Sequence, residues 1–273
     1  MVNTEYNAKI VSQQLTDSYV TFNRYSKGGI GHTCYDFIDL IRYIYKNKLK
    51  LIIPTFQLEK AHNNGTLIET NLTDYYDLSN ITINNKHFKL YPNNNYNKIL
   101  QLVSTTTLVR ENNWFVDIPL YEVIIPYNNI VYEYFNLISP IIGTDYMCIH
   151  VRRGDQITGP KQDELTKPLN ISNIINTYQC KKIYIMTNKV DELKELKQMH
   201  DNIYFYNDFP ELIKIQEKDN YLLYCIEQII FFNAKIKGTS GTPLRNICKR
   251  HTNLDIKIDF NLLFPNLKPK NLK

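Results

Sequence analysis

The chain has 273 residues, a formal net charge of +5 and a hydrophobic content of 43%. This length allows one large α/β domain or two small ones, and the hydrophobic content supports a real core. The mild charge fits an anionic small ligand better than a nucleic acid, whose binders are more basic, so we expect no nucleic-acid partner.

The five cysteines are scattered and contain no C-x-x-C pair. This usage favours the cytoplasm or another reducing compartment, and argues against a disulfide framework or a zinc site. No apolar run approaches the ~20 residues of a membrane span, and the polar N-terminus does not resemble a signal peptide. We therefore expect no membrane span. The oligomeric state stays open.

The first interpretable unit is a strand, a glycine turn, a helix and a second strand. The first strand is predicted over residues 18–25, and the turn reads Gly28-Gly29-Ile30-Gly31-His32-Thr33. The helix carries an apolar stripe, and the second strand spans residues 49–54. This order predicts the beginning of a parallel α/β layer. The residues of the stripe are Cys34, Phe37, Ile38, Ile41 and Tyr45.

The glycine turn does not fit a dinucleotide-binding fingerprint. Cys34 stands where Gly-x-Gly-x-x-Gly/Ala needs its third small residue, and no acidic residue ends the following strand. His32 is either a useful proton acceptor or a solvated histidine at a helix start. Glu59 and His62 lie in a loop after the second strand, at the sheet edge where ligands bind.

The stretch from Tyr146 to Asp155 reads Tyr-Met-Cys-Ile-His-Val-Arg-Arg-Gly-Asp. Its apolar start predicts a buried strand, which ends on His150 and two adjacent arginines. Neighbouring guanidiniums repel each other unless an anion lies between them, and the planar fork of arginine binds phosphate or carboxylate bidentately. Asp155 would hold one arginine while the other faces the ligand. The alternatives are a surface loop with a local Arg–Asp pair, and an Arg-Gly-Asp adhesion tripeptide.

The second half of the chain alternates strands with helices, which predicts a second, doubly wound parallel sheet. A helix over residues 132–138 and a candidate domain boundary at residues 139–144 precede it. Further strands are predicted over residues 182–188, 202–206 and 234–238, and helices over residues 169–179, 190–200 and 219–233.

The last of these strands runs into Thr239-Ser240-Gly241-Thr242-Pro243. Thr242 is a good N-cap and Pro243 suits the first position of a helix, which is predicted to reach Arg250. The turn would then present amides, hydroxyls and the positive end of a helix dipole on the same rim as the arginines, which suits an anion. The alternative is an ordinary capped helix after a strand.

His150-Val151-Arg152-Arg153-Gly154-Asp155 resembles the His-x-Arg-Arg-x-Asp motif of the GDP-fucose-dependent fucosyltransferases, which include α1,2-, α1,6- and protein O-fucosyltransferases. Three more segments are similar to that superfamily, in its order: the glycine turn, the strand exit Thr187-Asn188 and the Ser/Thr-rich turn. Two residues depart from the family pattern, since His32 replaces asparagine and Asn188 replaces aspartate.

The resemblance implies a glycosyltransferase-B-like α/β fold of two facing Rossmann-like domains with parallel sheets. Residues 1–140 would form the acceptor-side domain and residues 145–273 the nucleotide-sugar domain. The implied reaction is an inverting, metal-independent transfer of L-fucose from GDP-fucose to a glycan hydroxyl, with no cofactor. The alternatives are a transferase that uses another nucleotide sugar, and a catalytically silent sugar- or nucleotide-binding protein on the same scaffold.

The resemblance also implies roles for residues. Arg152 is the candidate catalytic arginine, and the acceptor base would be His32, Glu59 or His62. The diphosphate, the nucleotide and the sugar would be bound by a larger set, within which Arg153 with Asp155 sets the loop and Glu227 reads the base. That set is Gly29, Gly31, His150, Arg153, Asp155, Thr187, Asn188, Glu227, Thr239, Ser240, Gly241 and Thr242.

Overall fold

The computed structural model describes residues 19–22, 24–25, 30–53, 56–58, 71–92, 99–102, 121–153, 160–240 and 256–259. These residues form two compact units, and the chain passes from the first to the second between Asn128 and Asn129. The sequence places the boundary later, at residues 139–144. The domain ranges 1–140 and 145–273 stay a prediction.

The first unit is built on a parallel sheet in the order β3-β1-β7. Its strands are β1 (Tyr19–Phe22), β3 (Lys50–Leu51) and β7 (Ile99–Leu102), and α1 (Ile30–Lys46) lies between β1 and β3. On α1 the side chains of Phe37, Ile38 and Ile41 are fully buried. Burying each such side chain stabilises the fold by roughly 2 kcal/mol. The predicted strand–helix–strand unit is confirmed.

The start of α1 corrects one prediction. The helix begins at Ile30, so Gly31, His32 and Thr33 form its first turn instead of preceding it. Gly31 and Thr33 are buried there.

Two small sheets complete the described part of the first unit. Strands β2 (Arg24–Tyr25) and β4 (Phe56–Gln57) pair in parallel. Strands β5 (Thr82–Ile83), β6 (Lys86–His87) and β8 (Val123–Ile124) form an antiparallel sheet in the order β6-β5-β8. Asn84 and Asn85 join β5 to β6 with positive φ angles of 48° and 61°, which asparagine tolerates in tight hairpin turns.

The second unit holds a five-stranded, wholly parallel sheet in the order β11-β10-β9-β12-β13. Its strands are β9 (Met147–His150), β10 (Ile183–Met186), β11 (Ile203–Tyr204), β12 (Ile236–Thr239) and β13 (Ile258–Asp259). Its helices are α2 (Asn129–Ile142), α3 (Pro160–Leu165), α4 (Pro168–Tyr178), α5 (Leu196–Met199), α6 (Pro210–Lys218) and α7 (Asn220–Asn233). The predicted parallel sheet is confirmed.

Helices cover both faces of this sheet. Successive residues of a strand face opposite sides, so Met147 and Ile149 pack with Ile183 and Ile185 into one core, which α4 and α5 cover. Cys148 and His150 point to the other face, where α7 packs against β9. The residues that end the strands therefore divide between two environments.

Several helices differ from their predictions. Helix α3 is absent from the predicted helices, and Pro160 fits its first position because proline needs no N–H partner there. The helix predicted over residues 190–200 is a 3-10 turn, Val190–Glu192, followed by the short α5. Thr239 is the last residue of β12 and not the first of a turn. The helix predicted after Pro243 lies outside the described residues.

Helix α2 runs through the segment that was predicted as a boundary. It ends at Ile142, and the next residue, Gly143, has a left-handed φ of +77° and an N–H that donates to the Ser139 carbonyl at 2.8 Å. Glycine is the residue that most readily ends a helix in this way.

Candidate functional site

The carboxyl ends of β9 and β12 lie side by side at the centre of the five-stranded sheet of the second unit. From β9 the chain continues to β10 and β11 on one side, whereas from β12 it continues to β13 on the other. Neighbouring strands whose connections diverge leave a crevice outside their carboxyl ends, where α/β proteins bind ligands. Residues 150–153 and 239–240 occupy these two ends. The fold therefore brings the arginine motif and the Ser/Thr segment together.

His150 and Thr239 are paired in register across β9 and β12. The His150 ring Nδ1 lies 3.0 Å from the Thr239 Oγ1, and both residues are buried. Burial, and secondarily the positive charge of Arg152, lowers the pKa of His150 to about 3. The ring is therefore neutral near pH 7 and contributes hydrogen bonds but no positive charge.

Ser240 joins the exits of the two strands. Its N–H donates to the His150 carbonyl at 2.9 Å, and its Oγ accepts the Arg152 N–H at 2.9 Å. These bonds extend the pairing of β9 and β12 beyond the strands. The Arg152 backbone is thus held to the Ser240 side chain.

Arg153 is 8% exposed, and protein groups enclose its side chain. Its Nε donates to Glu192 at 2.6 Å and its Nη2 donates to Asp163 at 2.8 Å. Its Nη1 donates to the Thr166 carbonyl at 2.9 Å and to the Thr166 hydroxyl at 2.8 Å. All three guanidinium nitrogens of Arg153 are therefore committed to the protein. The predicted partner, Asp155, lies outside the described residues.

Arg152 lies on the other side of the strand exit. Adjacent residues of an extended chain point to opposite faces, and the charge of Arg152 acts on His150, which faces α7. Arg152 is half-buried, so part of it reaches solvent at the strand ends. Arg152 and Arg153 therefore lie in different environments, since Arg152 is half-buried and the Arg153 guanidinium is enclosed.

The exit of β10 is also tied to the arginine motif. Thr187 is buried, and its Oγ1 accepts the Lys189 N–H at 3.2 Å. Asn188 is exposed, and its Oδ1 accepts the Arg153 N–H at 3.4 Å. The predicted Thr-Asn exit therefore lies beside the arginines at the same edge of the sheet.

Glu227 is a buried carboxyl on α7, and its Oε1 accepts a hydrogen bond of 3.1 Å from the Tyr184 hydroxyl. Burial raises the pKa of Glu227 to about 8, although the bond from Tyr184 works in the opposite direction. The pKa of Tyr206, which follows β11, is raised chiefly by burial and then by the negative charges of Glu227 and Asp191. Glu227 is thus a largely neutral acid near pH 7, in contact with Tyr184 within β10.

The remaining candidate residues lie in the first unit or outside the described residues. Gly31 lies in the first turn of α1, in the first unit, as does the backbone of His32. Gly29, Glu59, His62, Asp155, Gly241 and Thr242 lie outside the described residues, and so does the side chain of His32.

Four contributors to the site were missed by sequence reasoning. Asp163, Thr166 and Glu192 were missed because polar and charged residues in loops and helices are common and none of the three belongs to a motif. Tyr184 carried a usable signal, since a tyrosine within an apolar strand needs a partner for its hydroxyl when it is buried.

The described residues contain neither a cluster of metal ligands nor a helix that could span a membrane. Within them, His, Cys, Asp and Glu side chains nowhere gather in a group of three or more that could hold a metal ion. None of the described helices has the length and apolar character to cross a membrane.

The architecture is that of the α/β, glycosyltransferase-B type found in solved fucosyltransferases. POFUT1 in complex with GDP aligns with a TM-score of 0.59 and 9% identity, over 89% of this chain and 97% of its own. NodZ α-1,6-fucosyltransferase soaked with GDP-fucose aligns with a TM-score of 0.53 and 9% identity, over 86% and 93%. NodZ from Bradyrhizobium gives a TM-score of 0.52 and 9% identity, over 86% and 94%. The likeness confirms the predicted fold class.

No protein-family model matches this chain. No curated protein matches it either.

Proposed function

We propose that this protein is an inverting glycosyltransferase that moves L-fucose from GDP-fucose to a glycan hydroxyl. The observation that carries the proposal is the meeting of Arg152 with Ser240 at the diverging ends of β9 and β12. The fold it shares with POFUT1, solved in complex with GDP and with GDP-fucose, and with NodZ, soaked with GDP-fucose, supports the choice of nucleotide sugar.

The chemistry of such a transfer centres on the leaving group. As the bond from sugar C1 to phosphate oxygen breaks, negative charge grows on the departing diphosphate. Arg152 supplies a permanent positive charge and a planar set of donors where that charge develops. Charge stabilisation by arginine and backbone amides does the work that a metal does in other transferases, so we propose metal-independent transfer.

The other site residues act around Arg152. Thr239 is fully buried with its hydroxyl on His150, so we propose that it orients the ring. We propose that the neutral His150 and Ser240 border the nucleotide phosphates, and that Glu227 is the carboxyl on the base side. Gly241 and Thr242 follow Ser240 and remain proposed phosphate contacts, with Thr187 and Asn188 on the neighbouring edge.

The acceptor side is proposed from the sequence resemblance alone. In that proposal the acceptor hydroxyl attacks C1 from the face opposite to GDP, which inverts the configuration. His32, Glu59 and His62 are the candidates for the base that takes its proton, and Gly29 and Gly31 approach the sugar nucleotide.

The proposal is tested by incubating the protein with radiolabelled GDP-fucose and a panel of glycans, with EDTA or with manganese. We expect labelled glycan product, or at least hydrolysis of GDP-fucose to free fucose and GDP, at nearly the same rate in both conditions. Activity lost in EDTA and restored by manganese would refute the metal-independent route. A larger rate with GDP-mannose would favour another nucleotide sugar, and no turnover despite GDP binding would favour the silent binding protein.

A further inference from the structure

Arg153 is held from two separate elements. Glu192 belongs to the 3-10 turn that follows β10, whereas Asp163 and Thr166 lie in and after α3. Four side-chain hydrogen bonds of 2.6 to 2.9 Å converge on the one guanidinium. Because a guanidinium is a rigid planar fork, partners on several of its edges fix its orientation as well as its position.

The backbone at Arg152 and Arg153 is also hydrogen-bonded to the exits of the neighbouring strands. The N–H of Arg153 donates to Asn188, and the preceding N–H, of Arg152, donates to Ser240. The strand exit is therefore braced towards β10 by one amide and towards β12 by the next. An anchored Arg153 side chain adds a third support, on the face opposite to His150.

We propose that Asp163 and Glu192 are positioning residues of the donor site. They hold the Arg153 side chain away from the ligand, and the held side chain sets the backbone from which Arg152 reaches the diphosphate. This inference rests on the proposed function for the identity of the ligand, and on the hydrogen bonds above for the bracing. It assigns the adjacent arginines different tasks, since Arg152 contacts the anion and Arg153 supports it.

The direction of the change in GDP affinity distinguishes a positioning role from a purely electrostatic one. Two carboxylates and one guanidinium leave a net negative charge near a site that would receive a diphosphate. If Asp163 and Glu192 acted only through their charge, neutralising them would tighten the binding of GDP. If they position Arg152, neutralising them weakens it, because the loss of geometry outweighs the relieved repulsion.

The two ion pairs also bear on stability. The Asp163 and Glu192 side chains are 45% and 41% exposed, whereas the Arg153 side chain is 10% exposed. Water screens the two carboxylates, but removing either one leaves a buried guanidinium N–H without its partner, which destabilises the fold. The melting temperature of each variant is therefore measured as well, and binding is compared at a temperature at which every variant is fully folded.

The test uses Glu192→Gln, Asp163→Asn and the double variant, with Asp145→Asn as the matched control. Asp145 makes an exposed ion pair of 3.0 Å with Lys235 in the same unit, so the control removes one carboxylate and one ion pair away from the arginine motif. Calorimetry measures the affinity for GDP and for inorganic pyrophosphate. Hydrogen exchange measures the protection of the Arg152 amide in the protein without ligand.

We expect each single variant to bind GDP and pyrophosphate about tenfold more weakly, in line with the loss of partners that orient ligand-binding groups. We also expect faster exchange at Arg152, and no change in Asp145→Asn. Unchanged or tighter binding of both ligands by the double variant, or unchanged exchange, would overturn the proposal. If the unaltered protein binds pyrophosphate but not GDP, the nucleotide assignment fails, and the pyrophosphate series still decides the positioning role.

Discussion

Glu227 gives the structure a pH dependence that can be isolated by one substitution. Its carboxyl has an ordinary pKa of 4.5 and a pKa of about 8 in the fold, chiefly because it is buried. Between these values the folded protein holds a proton that the unfolded chain has lost. Stability must therefore fall as pH rises from about 4.5 towards 8. Glu227→Gln should remove this fall, since the amide stays neutral and its oxygen can still accept the Tyr184 hydroxyl.

The magnitude follows from the two pKa values. One pKa unit corresponds to about 1.4 kcal/mol, and integration from pH 5 to pH 8 gives a loss of about 3 kcal/mol for Glu227. His150 works in the opposite direction, because its pKa is lowered from 6.5 to about 3. Its contribution is present above about pH 6.5 and is lost as pH falls towards 3. The two trends overlap, so the wild-type curve alone is not diagnostic.

The assay is urea unfolding of the wild type and of Glu227→Gln at pH 5, 6, 7 and 8, followed by circular dichroism. The quantity of interest is the difference between the two free energies of unfolding, from which the His150 trend cancels. That difference should shift by about 3 kcal/mol in favour of the variant across the range. Glu217→Gln, at an exposed position of α6, is the control for removal of a surface carboxylate. A difference that stays constant with pH would refute the buried neutral acid.

Two further substitutions test the site and the sheet. Arg152→Lys keeps the charge but loses the fork, so turnover should fall by about 100-fold, comparable to the loss of one oxyanion donor, with the melting temperature unchanged; near-normal kcat would contradict the catalytic role. Gly238→Ala would place a Cβ 3.0 Å from the Ile258 Cβ on β13. Such overpacking should cost about 1–3 kcal/mol in chemical denaturation, and an unchanged midpoint would contradict the tight pairing of β12 with β13.

Much of the second unit could be predicted from the sequence because its strands are short, apolar and separated by helical patterns. The apolar residues of the strand that ends at His150 predict its burial. The strand predicted over residues 234–238 is displaced by only about two residues from β12. The alternation of side chains along the strand could also be predicted from the sequence, and the two arginines do lie in different environments. These features depend on local periodicity, which one sequence contains.

The partners of Arg153 could not be predicted in the same way. Asp163 lies on a helix that begins at a proline within a polar segment, and Glu192 lies 39 residues along the chain from Arg153. Their meeting depends on the crossover from β9 to β10 and on the sheet order, neither of which local periodicity encodes. The antiparallel sheet of β5, β6 and β8 was missed because each of its strands has two residues, too few to show alternation.

The burial of Glu227 was equally hidden. Helix α7 is apolar around most of its circumference, so its sequence does not reveal which face the carboxyl takes. In the structure Glu227 is buried and accepts the Tyr184 hydroxyl of β10, which shows that this glutamate is interior.

The most direct test of the central claim is the choice of nucleotide. GDP, UDP and ADP are each added at saturating concentration, and the melting temperature of the unaltered protein is measured. A ligand at about 100 times its dissociation constant adds about 2.7 kcal/mol to the stability of the fold, which for a chain of this size raises the melting temperature by at least ~5 °C. We predict that GDP produces this shift, that UDP and ADP produce little, and that Arg152→Ala loses most of the GDP effect. Equal shifts from the three nucleotides, or none from GDP, would contradict a GDP-sugar site at the ends of β9 and β12.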